Sequence, residues 1–269
     1  MLINSAIDAF YTETSEESRL QLGLGPLEFE RNKELIGRYL PKRGRIVDVG
    51  GGPGVYSEWL AGLGYDVHLI DPVEKHIKQA NKRSAKLKNK FKSYLGEARK
   101  LDFPDAFADV VILHGPLYHL QEKAERLAAL TEALRIVKPG GVVLGFAINY
   151  SASTIPGLLN GVTDRPDFLQ MCLTELTTGK HVAPPSMPGI LPHAFYHRPD
   201  QLQAEFEEAG FKMLQLHAVE GIVWLDKNYF INRADAGKRA MHTELLKTTD
   251  TDRGLIALSP HMMLAARKP

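Results

Sequence analysis

Cysteine is nearly absent from this chain, which has one such residue among 269. The single thiol, Cys172, cannot form a disulfide within the chain, which argues against a disulfide-stabilised secreted domain. Net charge is also nearly absent, because 33 Lys and Arg balance 32 Asp and Glu. Without a strong positive field to attract phosphates, we expect no nucleic-acid partner.

Long apolar runs are missing as well. No stretch approaches the roughly 20 consecutive apolar residues that a helix needs to cross a bilayer, so we expect no membrane partner. The first ten residues have neither the basic start nor the apolar run of a secretory signal peptide. These absences predict a cytoplasmic protein and a single domain over residues 1–269, and they leave its oligomeric state open.

From Arg45 onward, short apolar runs alternate with segments whose apolar residues recur at helical spacing. This alternation predicts a doubly wound α/β fold, in which helices cover both faces of a mostly parallel, seven-stranded sheet. The expected strands are residues 46–49, 67–70, 93–95, 110–113, 142–148, 214–218 and 262–266. Amphipathic helices are expected over residues 73–87 and 127–137.

Two segments lie outside this alternation. Residues 1–40 are expected to form a helical cap before the sheet, with one helix over 7–22. Residues 150–198 are rich in Pro, Gly, Thr and His, and they leave the fifth strand where it ends. We expect them to be an insertion that covers the same edge of the sheet as the cap.

A cluster of glycines follows the first strand. Asp48 stands at the end of that strand, and four glycines precede the next helix: Gly50, Gly51, Gly52 and Gly54. Without Cβ atoms, such a turn lets a nucleotide-like ligand approach the backbone amides and the start of the helix. A tight turn with no ligand is the simpler alternative. A dinucleotide fingerprint needs Gly or Ala where this chain has Val55, which argues against a nicotinamide cofactor.

The acidic residue followed by Gly-x-Gly-x-Gly resembles the first motif of the class I S-adenosylmethionine-dependent methyltransferases. The resemblance extends over about residues 40–148 and implies S-adenosylmethionine as the cofactor. It places the carboxylate of Asp71, followed by Pro72, on the ribose hydroxyls. Gly96-Glu97-Ala98 resembles the third motif, in which the acidic side chain meets the adenine amino group and the next backbone amide meets the ring.

The run Gly115-Pro116-Leu117-Tyr118-His119-Leu120, with Pro139-Gly140-Gly141 further on, is similar to a bacterial branch of small-molecule methyltransferases, broadly the quinone-biosynthesis type. That resemblance implies methyl transfer to an O, N, S or C atom of a small acceptor. Methyltransferases that modify amino groups of nucleic-acid bases usually have Asp or Asn, then Pro-Pro and an aromatic residue, in this loop. His114-Gly115-Pro116-Leu117 departs from that pattern.

The loop after the fourth strand holds the catalytic candidates. His114 and His119 could accept a proton from the methyl acceptor, with Tyr11 as a third candidate from the cap. Each histidine could instead be a buried, hydrogen-bonded support for the loop. His114 and Gly115 are also expected beside the cofactor, and Tyr118 beside the substrate.

Further substrate contacts are expected from the end of the fifth strand and the insertion: Asn149, His181, His193, Tyr196 and His197. His193 and His197 have the spacing of metal ligands on a helix, but flanking prolines and the lack of a completing Cys or acid argue against a metal site. Two other functions remain open at this point. One is a nicotinamide-dependent oxidoreductase, and the other is a catalytically silent binding protein of the same fold.

Overall fold

The structure is a computed structural model that describes residues 3–14 and 16–269. Its described residues form one sheet of nine strands. They are β1 (Arg45–Val49), β2 (Asp66–Asp71), β3 (Lys92–Leu95), β4 (Ala108–Leu113), β5 (Val137–Asn149), β6 (Lys180–Val182), β7 (His193–His197), β8 (Lys212–Ala218) and β9 (His261–Arg267).

Seven of these strands make the main sheet, in the order β3-β2-β1-β4-β5-β9-β8. The first five are parallel to one another, whereas β9 runs antiparallel between β5 and β8. This arrangement confirms the predicted doubly wound, mostly parallel, seven-stranded sheet. The chain order reverses between β1 and β4, which is where open α/β sheets bind their ligands.

Helices cover both faces of the sheet, and none of the described helices is long and apolar enough to cross a membrane. Alternate residues of each central strand enter opposite cores. Ile46 packs with the helices on one side, whereas Val47 packs with those on the other. The first core is completed by α3 (Gly25–Gly37), α4 (Val55–Gly62) and α5 (Glu74–Ala85), and the second by α7 (Lys123–Ile136) and α10 (Pro199–Glu208).

The remaining helices belong to the cap, the insertion and the loops. They are α1 (Ser5–Glu13), α2 (Glu16–Arg19), α6 (Pro116–His119), α8 (Thr154–Leu159), α9 (Pro166–Thr178), α11 (Tyr229–Asn232) and α12 (Ala236–Thr249). Helix α7 ends one residue before Val137, not at the Pro-Gly-Gly run, because Val137 already pairs with Ala108 in the sheet.

The single N-terminal helix expected over residues 7–22 is divided into α1 and α2. Thr14 is extended, and both its backbone N–H and its hydroxyl donate to the Phe10 carbonyl, which ends α1. Lys75 Nζ then donates to the carbonyl oxygens of Tyr11, Thr12 and Thr14, at distances of 2.7 to 3.3 Å. Met1, Leu2 and Ser15 of the predicted cap lie outside the described residues.

The insertion has more regular structure than its composition suggests. Residues 150–198 contain α8, α9 and the antiparallel pair β6-β7, and β7 lies parallel to the end of β5. His193 and His197 therefore stand on a strand, where residues four apart are about 13 Å from each other along the chain. The helical metal-ligand spacing considered for them does not exist in the structure.

Candidate active site

Two adjoining cavities lie at the carboxyl ends of β1, β2 and β4. The first, which we call the cofactor cavity after the expectation from the sequence, has a volume of about 380 Å³ and is lined by Gly50, Gly52, Asp71, Pro72, Glu97, Ala98 and Gly115. The second, which we call the acceptor cavity on the same ground, has a volume of about 640 Å³ and is lined by Arg19, Glu28, Tyr56, His114, Phe146, Leu191 and His261. Both cavities share wall residues, namely Gly50, Gly52, Tyr11, Glu16 and Tyr118.

Two glycines of the loop after β1 are needed for different reasons. Gly50 has a φ of +74°, and a Cβ there would lie 3.0 Å from the Gly115 nitrogen, so only glycine lets the two loops meet. Gly52 has a φ of +56°, and its Cβ would meet only the Glu16 side chain, at 3.9 Å. The loop thus presents bare backbone to the cavity, which is the surface a nucleoside needs for close approach.

Asp71 fixes the loop from the end of β2. One of its oxygens accepts from the Gly52 N–H at 2.9 Å, and the other accepts from the Val73 N–H at 2.9 Å and from His76 Nδ1 at 3.0 Å. A carboxylate has about four acceptor positions, so these three bonds leave capacity for a ribose hydroxyl. The carboxylate is at once a loop anchor and the expected ribose ligand.

Glu97 and Ala98 close the far side of the cofactor cavity after β3. Glu97 Oε2 accepts from the backbone N–H and the Nε of Arg99, whereas its other oxygen accepts no hydrogen bond from the described residues. That second oxygen is available to an amino group such as that of adenine. Together with the glycine loop and Asp71, this donor and acceptor set fits S-adenosylmethionine.

Asp48 and Gly54, both expected beside the cofactor, do not line the cavity. Asp48 is fully buried and accepts from Ser57 Oγ at 2.7 Å and from His114 Nδ1 at 2.8 Å. A Cβ on Gly54 would lie 2.8 Å from the Phe91 ring, so this glycine serves the packing of the loop. Both residues therefore support the loops around the cavity without lining it.

His114 is held in the wall of the acceptor cavity. Its ring stacks between those of Tyr56 and Phe146, with centroid distances of 4.3 and 4.8 Å. Nδ1 faces Asp48, whereas Nε2 is buried and has no hydrogen-bond partner among the described residues. This imidazole is therefore fixed in orientation and keeps one buried nitrogen without a partner.

A network of charged side chains forms another wall of the acceptor cavity. Arg19 donates to both oxygens of Glu28, at 2.7 and 3.0 Å, and its Nε donates to Glu16 at 2.6 Å. Burial alone would raise the pKa of Glu28, but the Arg19 charge and hydrogen bonds outweigh it and lower that pKa to about 2. His261 faces the buried Glu220 at 2.6 Å.

His119 lies in the cofactor cavity with Tyr11, the third catalytic candidate. The Tyr11 hydroxyl is 2.9 Å from His119 Nε2. Burial lowers the pKa of His119 to about 3, with help from the nearby His76, and burial also raises the pKa of Tyr11. Both groups are thus neutral near pH 7, and the pair joins α1 to the loop after β4.

Comparison with known proteins bears on this geometry. A family profile described as a methyltransferase domain matches residues 47–145, which run from within β1 to within β5 and contain the glycine loop, Asp71, Glu97 and His114. Residues 47–145 therefore form a methyltransferase domain, and the chain has the fold of S-adenosylmethionine-dependent methyltransferases.

Proteins similar to this chain match different shares of its length. An uncharacterized methyltransferase of Schizosaccharomyces pombe is 34% identical over 115 residues, which are 39% of this chain and 40% of that protein. A ubiquinone biosynthesis O-methyltransferase of Burkholderia pseudomallei is 27% identical over 183 residues, 67% of this chain and 69% of the relative. A SAM-dependent methyltransferase from Methanosarcina mazei shares the fold, with a TM-score of 0.62, 18% identity and coverage of 87% of this chain and 96% of that one.

The residues expected to contact substrate from the fifth strand and the insertion are distributed unevenly. His193 lines the cofactor cavity. Asn149, His181 and His197 are completely buried, and they bind the loop before β9, Glu175 and Glu205 respectively. Tyr196 is buried and stacks on His181. None of these four side chains lines either cavity: Asn149 holds the loop before β9, and the other three pack inside the insertion and against α10.

Several residues that line the acceptor cavity were not predicted from the sequence. Tyr56 lies in the first turn of α4, directly after the glycine loop, so its position was available as a signal. Arg19, Glu28 and His261 come from segments that no local motif connects. Only tertiary packing brings them together.

Proposed function

We propose that this chain transfers a methyl group from S-adenosylmethionine to a small molecule held in the acceptor cavity. The observation that supports this most is the shared wall at Gly50 and Gly52, which lies between a cavity suited to a nucleoside and a second, larger one. S-adenosylmethionine would supply an electrophilic methyl group on a sulfonium. The chain's part is then to align the acceptor with that methyl group and to exclude water.

The acceptor cavity supports a small molecule over a macromolecule. Its volume of about 640 Å³ lies within the range of about 300 to 1,000 Å³ common for small-molecule pockets. Its walls combine apolar side chains, such as Leu20, Phe146 and Leu191, with a few polar groups. The Burkholderia relative is named for methylation of an oxygen atom, which favours an oxygen acceptor here too.

We further propose that residues 1–40 and 150–198 act as caps within one domain. Ile7 and Tyr11 of α1 line the cofactor cavity, and Leu20 and Leu22 line the acceptor cavity. Gly189 and Leu191 add the insertion to the acceptor cavity, and His193 adds it to the cofactor cavity. In this proposal Gly50, Gly52, Asp71, Pro72, Glu97, Ala98 and Gly115 hold the cofactor, and Tyr118 contacts both bound molecules.

Two measurements test the proposal in sequence. Calorimetry should show binding of S-adenosylmethionine and of S-adenosylhomocysteine, with a nicotinamide dinucleotide as the comparison ligand. A screen of small hydroxylated and amino compounds should then show formation of S-adenosylhomocysteine. A folded sample that binds the dinucleotide and neither adenosyl ligand would overturn the cofactor assignment, and cofactor binding without turnover across the screen would favour a silent binding protein.

A further inference from the structure

Two imidazoles line the acceptor cavity, and each is backed by a buried carboxylate. His114 Nδ1 lies 2.8 Å from Asp48, and His261 Nδ1 lies 2.6 Å from Glu220. Both carboxylates are at most 1% exposed. The two pairs look alike in geometry, but they differ in the groups that surround them.

His261 already holds its proton at neutral pH. Burial alone would lower its pKa, but the charge and hydrogen bond of Glu220, with a further contribution from Glu28, raise that pKa to about 9. Glu220 cannot turn elsewhere, because its second oxygen accepts from Ser259 Oγ and from the His261 backbone N–H. The His261 side chain therefore enters the cavity as a hydrogen-bond donor.

His114 is distinguished by the groups that hold its ring. Asp48 can only accept, so Nδ1 of a neutral His114 carries the hydrogen and Nε2 keeps its lone pair. The Asp48 carboxylate is occupied on its other oxygen by Ser57. The rings of Tyr56 and Phe146 prevent the imidazole from turning over, so the free nitrogen stays Nε2.

The other histidines near the site are committed elsewhere. His119 Nε2 is paired with the Tyr11 hydroxyl, and His76 Nδ1 is paired with Asp71 in the cofactor cavity. Among the described residues, the titratable groups in direct contact with His114 are Asp48 and Tyr56. Glu28 lies near enough for the charge of His114 to lower its pKa, and Glu28 itself is paired with Arg19.

We propose that His114 is the base that removes the acceptor's proton, that Asp48 is its positioning residue, and that the acceptor is a weakly acidic hydroxyl compound such as a phenol or an enol. This inference rests on the proposed function. The acceptor's proton passes to Nε2, the oxygen forms a bond to the methyl carbon, and the carbon–sulfur bond breaks with its electron pair left on sulfur. The proton on His114 then leaves to solvent.

The choice of an imidazole as the base is the reason for proposing a weakly acidic acceptor. Efficient proton transfer needs a donor and an acceptor of comparable proton affinity, and an imidazole is a far better match for a phenol than for an aliphatic alcohol. The cavity walls agree with a flat, conjugated molecule, because Tyr56, Phe146 and Tyr118 contribute aromatic rings to them.

4-Nitrophenol gives a test that needs no turnover, because its anion is yellow and the neutral phenol is not. The protein would be saturated with S-adenosylhomocysteine and mixed with 4-nitrophenol at a pH where the free phenol is mostly protonated. We expect the bound phenol to ionise, with its proton on His114. In His114→Gln the neutral phenol should still bind, with its apparent affinity weakened by no more than the lost ionisation accounts for, while its anion band falls at least tenfold.

Asp48→Asn tests the positioning role, and it should reduce the anion band while S-adenosylhomocysteine still binds. His242→Gln is the control, because it alters a histidine that is also paired with a carboxylate, Asp226, but lines neither cavity. We expect this control to keep the anion band. An anion band that survives in His114→Gln, or that disappears instead in His261→Gln, would overturn the choice of base. Failure of 4-nitrophenol to bind while S-adenosylhomocysteine binds would overturn the acceptor class, and failure of S-adenosylhomocysteine to bind would count against the proposed function.

Discussion

The two cavities of this protein are built from different parts of the chain. The residues expected to hold the cofactor lie between 50 and 115, and each of them ends a strand of the parallel sheet or stands in the loop after one. The acceptor cavity combines the N-terminal cap, the start of α4, the end of β5, the insertion and the start of β9. One cavity depends on loops within a continuous fold unit, and the other depends on long-range packing.

This difference explains why the cofactor could be inferred and the acceptor could not. A phosphate-like or nucleoside ligand at a switch point is recognised by backbone and a few carboxylates, so short motifs describe it. An acceptor is recognised by side chains that meet only after folding. Substitutions in the cofactor cavity should therefore impair binding of S-adenosylmethionine, whereas substitutions in the acceptor cavity should leave that binding intact.

Gly50→Val should have the largest effect on the cofactor side. A positive φ is unfavourable for valine, and its Cβ would press on the loop that begins with Gly115, so we expect a loss of about 2 to 5 kcal/mol in the free energy of unfolding. Denaturant unfolding measures this loss of stability, and calorimetry with S-adenosylmethionine measures the accompanying loss of cofactor affinity. Gly62→Ala is the matched control, since a Cβ there meets nothing within 4 Å. Wild-type cofactor affinity in Gly50→Val would show that the loop does not need this glycine.

Asp71→Ala should have the next largest effect. The substitution removes the expected ribose ligand and also the anchor of the Gly52 amide, so affinity for S-adenosylmethionine should fall at least tenfold, consistent with about 1.5 to 3 kcal/mol for hydrogen bonds to a charged group. Glu74→Gln, three residues away and exposed, provides the control in the same calorimetric experiment. An unchanged dissociation constant for Asp71→Ala would assign this carboxylate to the turn alone.

His261→Gln should have the smallest effect, and only on the acceptor side. The folded-state pKa of His261 is raised to about 9 by Glu220, so its contribution to stability is complete below about pH 6.5 and is lost as the pH rises through 9. Because the side chain is 31% exposed, we expect on the order of 1 to 2 kcal/mol. The difference in unfolding free energy between wild type and variant should shrink from pH 6.5 to pH 9.5, with cofactor affinity unchanged. A difference that does not depend on pH would contradict the ion pair.

Local signals predicted the fold well and the site in part. Mostly apolar runs such as residues 46–49 and 110–113 indicate buried parallel strands. Gly50, Asp71 and Glu97 stand at or just after the ends of the first three strands and line the cofactor cavity. The strand β7 was not predicted, because its pairing partner is the distant end of β5 and its own sequence is rich in histidine. The burial of His181 and His197 was not predicted either, although Glu175 and Glu205 are only six and eight residues away, because each pair joins a strand to a neighbouring helix.

The antiparallel strand β9 has a consequence for the order in which the protein folds. It pairs with β5 along its whole length, yet Ile148 and its partner His261 are more than a hundred residues apart in sequence. Closing so long a loop is slow, and the contacts that reward it form only once both strands are available. During folding, the parallel half can therefore assemble early, while the wall that holds His261 forms among the last events. An early intermediate would already contain the glycine loop and Asp71 but would have no closed chamber for a second molecule.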